Sequence, residues 1–159
     1  MCVVCVVSAC DMCGLCVVQV LVSHVAGSEA GVHVYLQQSE RLVQLEQLLD
    51  RLDDVYSSAD DDADSTATYH HGDAVAVRVA TIWQRATVLC DSVSDDKTVR
   101  VLCVDYGSVH NVDVDKVRRL RTDMMSEALF AIRCQLFGVT ADTGMKAVQV
   151  QLLYCPVLL

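Results

Sequence analysis

The sequence predicts a mostly β fold with helices, in which one long helix and a small antiparallel barrel are the most legible parts. Three observations lead there. Four short β-branched segments follow one another between residues 72 and 114, separated by turn signals and by no helix, which is the pattern of a small antiparallel barrel. Leucines at 42, 45, 48, 49 and 52 recur at three- and four-residue spacing, so they share one face of a helix. Ahead of that helix, two valine-rich runs on either side of a glycine-containing turn read as a hairpin.

The totals bound what the chain can do. At 159 residues it is about one domain long and able to bury a core, and 53% hydrophobic residues exclude global disorder. A net charge of -9 argues against a nucleic-acid module, which neutralises phosphates with clustered Lys and Arg. A basic peptide is the more natural charged partner.

Residues 1–22 are an apolar run interrupted by Asp11 and Gly14, and no Lys or Arg precedes Arg41. A secretory signal needs a positively charged start. The run has the length of a membrane span, but Asp11 at its middle would cost about 3 kcal/mol on insertion, so a membrane anchor through residues 1–22 is the minor alternative. Five of the nine cysteines (Cys2, Cys5, Cys10, Cys13 and Cys16) crowd this stretch. Only four residues separate Cys5 from Cys10, whereas zinc ribbons place roughly 12–20 between their pairs. No histidine precedes His24. The expectation is therefore no metal, no cofactor, and a Cys-rich apolar extension over residues 1–16. Cys90, Cys103, Cys134 and Cys155 sit among apolar neighbours and read as free thiols in a reducing compartment.

Taken in order, residues 16–24 form a β-branched strand, and residues 32–37 alternate with period two as its hairpin partner. That alternation makes His33 an exposed sheet residue rather than a ligand. Ser39 can cap the leucine-striped helix. Residues 57–68 form a linker with four aspartates in five residues, a density of like charge that stays solvated; it lacks the glycine and distal glutamate of a calcium-binding EF-hand. The barrel strands come next: G-D-A-V-A-V-R-V, I-W-Q-R-A-T-V-L-C, V-R-V-L-C-V-D-Y-G and V-H-N-V-D-V. Residues 114–120 close it and carry the basic run Lys116, Arg118, Arg119 and Arg121, read as a solvated face. Residues 124–132 read as a short helix, then R-C-Q-L-F-G-V as a strand and residues 147–153 as a last one.

This order, with G-D-A-V-A, W-Q-R-A-T-V, V-D-Y-G-S and A-I-R-C-Q-L-F-G-V at these spacings, resembles an extended Tudor domain over residues 17–139. The resemblance implies a Tudor barrel inserted into a staphylococcal-nuclease-like OB fold and joined to it by the long helix. It implies the divisions 1–16 (extension), 17–56 (OB-like strands and helix), 57–69 (acidic linker), 70–123 (barrel) and 124–159 (rest of the OB-like part, truncated or not). It also implies a non-catalytic protein-interaction module of the germline small-RNA pathway, cytoplasmic and in perinuclear germ granules, whose partners are arginine-containing, often dimethylated, tails of Piwi-clade Argonaute proteins.

In that family aromatic rings and one amide box a methylated guanidinium. The corresponding positions hold Arg78, Gln84, Cys103, Tyr106 and Ser108, of which only Tyr106 is a ring. Each missing cation–π contact removes about 0.5–2 kcal/mol, so the expectation is a degenerate cage. It leaves either a reader of unmethylated, extended peptide in the cleft between barrel and OB-like part, or a scaffold without peptide binding. Trp83 and Asp105 are supporting residues. Trp83 reads as a core or rim plug and Asp105 as a turn-orienting carboxylate, with Arg85 pairing an acidic side chain inside the fold. The nuclease-like strands carry neither the carboxylates nor the arginines that phosphodiester chemistry needs, so no enzyme is expected.

Overall fold

The computed structural model describes residues 3–10, 14–28, 31–57, 68–90 and 97–135, with side chains described within 18–27, 31–57, 68–90 and 97–135. The expectations for the aspartate-rich linker, for the last four residues of R-C-Q-L-F-G-V and for the strand at 147–153 lie outside the described residues. The chain divides into two compact units. Residues 1–41 and 131–159 form one and Leu42–Phe130 the other.

The first unit is an antiparallel sheet of β1 (Val3–Cys10), β2 (Gly14–Ser28), β3 (Gly31–Gln38) and β9 (Ala131–Gln135), in the order β1-β2-β3-β9. β1 pairs with β2 from Val3↔Leu21 to Cys10↔Gly14. Residues 3–10 of the run read as an extension thus form a strand: their valines favour a pleated ladder, and no helix among the described residues is long and apolar enough to cross a membrane. The β2–β3 register shifts between Val22 and His24, a bulge that accommodates one extra residue. Val20, Val34 and Leu36 form the small core here. His33 is half-buried rather than exposed, because β3 is not an edge: His33 faces Ala26 on one side and Gln135 on the other.

The second unit opens with helix α1 (Leu42–Ser57), preceded by a 3-10 turn over Ser39–Arg41. Leu45, Leu48, Leu52 and Tyr56 are its buried residues, the stripe expected from a 3.6-residue period. The helix groups with the barrel, although the expected division placed it with the N-terminal strands. The reason is where its stripe is buried: Leu45, Leu48, Leu52 and Tyr56 share a core with Ala76, Trp83, Leu120, Met124 and Phe130.

Five strands make the barrel sheet: β4 (Ala74–Val79), β5 (Ile82–Val88), β6 (Thr98–Cys103), β7 (Val109–Asp113) and β8 (Val117–Arg119), in the order β7-β6-β5-β4-β8. Alternation along β4 and β5 sorts the residues by face. Val75, Val77, Ala86 and Val88 point into the barrel with Val99, Val101, Cys103, Val112 and Val117. Ala76 and Trp83 point to the helix. The two faces are pinned by phenols: Tyr69 Oη donates to the Val117 carbonyl at 3.0 Å, and Tyr56 Oη donates to the Arg119 carbonyl and accepts the Arg121 N–H, each at 3.0 Å.

The helix expected at residues 124–132 is only Thr122–Met125 (α2). A longer helix would use the carbonyls of residues 124, 127 and 128 for its own ladder. Those of Met124, Glu127 and Ala128 instead accept from the Arg85 guanidinium, and by Ala131 the chain is already a strand.

Candidate functional site

The site is assembled where β6 ends. Cys103 Sγ is closed to solvent, and its carbonyl accepts from the N–H groups of Tyr106 at 3.2 Å and Gly107 at 2.7 Å. Gly107 takes φ +83°, a left-handed conformation that side chains with a Cβ disfavour. The chain then returns, with Cys103 N–H donating to the Ser108 carbonyl at 2.9 Å, and the Ser108 hydroxyl lies 2.9 Å from His110 Nε2. Burial pushes the Cys103 thiol up to about 11, with the Ser108 hydrogen bond pulling the other way. At neutral pH it is a thiol and no nucleophile. Burial and the Asp105 charge likewise raise the Tyr106 phenol, which packs between the barrel core and the helix core.

Asp105 is fully buried and bidentate with Arg85, Nε to Oδ2 at 2.9 Å and Nη2 to Oδ1 at 2.7 Å. It also accepts the Phe130 N–H at 3.1 Å. Arg85 gives its remaining donors to the carbonyls of Met124 in α2 and of Glu127 and Ala128 beyond it, at 2.9, 2.9 and 3.3 Å, so all five of its N–H groups are engaged. The carboxylate faces inward. It aligns the turn through its pair with Arg85, and it ties the Phe130 backbone to that turn. Trp83, 3% exposed, is a plug: its Nε1 donates to Ser57 Oγ at 3.1 Å, and its ring lies 5.4 Å from that of Tyr56.

Of the five positions expected to line a cage, the structure places Cys103, Tyr106 and Ser108 in one turn. Gln84 joins them: Val77↔Gln84 and Val75↔Ala86 pair across β4–β5, and Ala86↔Cys103 pairs across β5–β6, so Gln84 lies on the barrel-interior face, one step beyond the point where β6 leaves the sheet. Arg78 does not join them. It pairs with Trp83, one residue past the partner of Gln84, and so occupies the helix face. The Gln84 Oε1 atom is buried and has no hydrogen-bond partner among the described residues. Nothing in the sequence marks that orphaned acceptor. The extent of the Arg85 network was equally hidden, and its one trace was an arginine set between alternating apolar residues.

No group of three or more His, Cys, Asp or Glu side chains able to hold a metal occurs among the described residues. Two cavities of about 320 and 210 Å³ flank Arg78.

The family model of the Tudor domain matches residues 17–138. Among solved structures, the extended Tudor domain of human TDRD1, in complex with a symmetrically dimethylated peptide, is 22% identical with a TM-score of 0.64, covering 75% of this chain and 56% of its own. That of Drosophila melanogaster Tudor-SN is 25% identical with a TM-score of 0.62, covering 74% and 52%. That of Drosophila melanogaster Papi, with a Piwi N-terminal peptide dimethylated on arginine, is 23% identical with a TM-score of 0.64, covering 76% and 60%. Papi is also solved with the unmethylated Piwi peptide. The chain thus spans between half and three-fifths of the length of these structures. No curated protein matches the chain.

Proposed function

The chain belongs to the Tudor-domain family, in its extended form, and on that premise we propose that it is a non-catalytic module that binds arginine-containing peptides of the Piwi type without preferring the dimethylated form. The observation that carries this reading is Gln84. Where the family places a ring, this chain holds an amide whose Oε1 is buried and unpartnered. A buried acceptor without a donor costs about 1–3 kcal/mol, and a guanidinium N–H relieves that cost. Methyl groups remove N–H donors from the guanidinium and gain most from flanking rings. With Tyr106 the single ring of the set, the balance moves toward the unmethylated side chain. The relatives solved with dimethylated and unmethylated arginine peptides support the class of partner. Its place of action in this reading is the cytoplasm, within germ granules.

Calorimetry with a pair of arginine–glycine peptides, one symmetrically dimethylated and one not, tests the proposal. The expected result is binding of the unmethylated peptide at least as tight as that of its partner. A clear preference for the methylated peptide would sink the reading, and binding of neither would leave a scaffold domain.

A further inference from the structure

The larger cavity beside Arg78 lies on the helix face of the barrel, away from Gln84. Its walls bring together Arg78, Lys116 and Arg118 with Trp83, Ser57 and Asp115. Three cations therefore meet two carboxylates, Asp115 in the wall and Asp113 beside Lys116, in a chain whose net charge is -9. Each cation is held differently. Arg118 is pre-set: its Nη1 donates to the carbonyls of Asp115 at 2.6 Å and Val117 at 2.9 Å, and its guanidinium stands 5.9 Å from the centre of the Trp83 ring. Lys116 is paired with Asp113 at 2.6 Å, but both side chains are half-exposed, so solvent screens the pair and a better anion displaces it. Arg78 is exposed and has no ion-pair partner among the described residues; Asp113 raises the Lys116 ammonium, and the like charge of Arg78 offsets that only in small part. The excess of cations over carboxylates around a hollow of about 320 Å³ favours the entry of a further anion. Two of the three are guanidinium forks, the geometry that grips carboxylate or phosphate oxygens.

We propose that this cavity is a second binding site, which takes an anionic side chain, carboxylate or phosphate, carried by a partner peptide. A nucleic-acid strand fits less well, because Arg119 and Arg121 of the same run are engaged with Asp73 and Asp123 and the whole chain is acidic, whereas phosphate-backbone binding needs an extended run of free cations. The site is separate from the arginine-reading turn. Arg78 and Gln84 stand on opposite faces of the same hairpin, so a peptide can be read at one place without the other.

The chain's single tryptophan lines the cavity and reports on it. The folded chain is titrated at low salt with three peptides differing at one position, serine, glutamate or phosphoserine, followed by Trp83 emission and calorimetry. The expected result is about tenfold or more tighter binding of the phosphoserine peptide than of the serine peptide, as two charge-assisted hydrogen bonds provide, with a smaller gain for glutamate. Arg78→Gln combined with Lys116→Gln removes the gain, and Lys116→Gln alone leaves binding of the unmethylated arginine–glycine peptide unchanged. Both substituted side chains are exposed, so thermal melting of the variants should match the parent. Equal affinities for the three peptides, a gain that survives the double substitution, or a single-stranded oligonucleotide of matched charge that binds as well as the phosphopeptide would each overturn the proposal.

Discussion

The two faces of the β4–β5 hairpin treat buried polarity in opposite ways. On the helix face, Arg85 and Asp105 are as buried as any side chains described, yet every guanidinium N–H has an acceptor and Asp105 also takes the Phe130 N–H. On the barrel face, Gln84 keeps a buried oxygen with no donor among the described residues. A satisfied buried pair holds a frame together and has nothing left to offer a ligand. An unsatisfied acceptor weakens the frame until a donor reaches it. The same hairpin thus satisfies its buried polar groups on one face and, among the described residues, leaves an acceptor open on the other.

The sharpest way to break this contrast is to remove half of the satisfied pair. Arg85→Met leaves Asp105 buried and uncompensated, and Asp105→Asn does the converse less severely; the first should cost about 3–5 kcal/mol by urea unfolding and release the segment after α2. A loss below about 1 kcal/mol for Arg85→Met, within the range of exposed ion pairs, would show that the network is not what holds the turn. Gln84→Leu should act the other way, raising stability by about 1–3 kcal/mol while weakening the unmethylated arginine peptide. A variant that loses both stability and binding would mean that Gln84 belongs to the frame.

Alkaline pH sharpens the barrel side. The Cys103 thiol titrates near 9.0 when unfolded and at about 11 when buried. Below pH 9 both states hold the proton and the full stability is present. Between 9 and 11 the unfolded chain releases its proton first, so stability falls as pH rises through that window. Tm followed from pH 8 to 11 should decline, and Cys103→Val should flatten the early part of the decline. The raised Tyr56 and Tyr106 phenols act in the same direction at higher pH. The smallest effect is kinetic: Cys90 is exposed and Cys103 buried, so a thiol reagent mapped by mass spectrometry should mark Cys90 in the native state and Cys103 only on unfolding.

Much of this was legible beforehand. The leucine period located α1 because a helix on a sheet must bury one stripe, and the turn chemistry of D-Y-G located the end of β6 because Gly107 needs a positive φ. The Trp83 plug and an acidic partner for Arg85 were also readable, since neither group stays buried without company. Three features were not. α2 stops after four residues because a side chain from β5 captures its carbonyls, a tertiary competition that local periodicity does not encode. The separation of Arg78 from Gln84 depends on hairpin register, where one residue reverses the face. Residues 3–10 read as compositionally odd and turn out to be a strand, because pairing with β2 supplies the ladder that their valines favour.

The pairing of β3 with β9 has a consequence in time. Gln37 meets Ala131, and the whole of Leu42–Phe130 lies between them in sequence. A ribosome adding roughly 5–20 residues per second needs about 5–20 s to make that interval. For that long β3 has β2 on one side and an unpaired edge on the other, the kind of surface that recruits strands from neighbouring chains. During synthesis the inserted barrel is therefore the first part able to finish, and the sheet that precedes it in sequence is among the last.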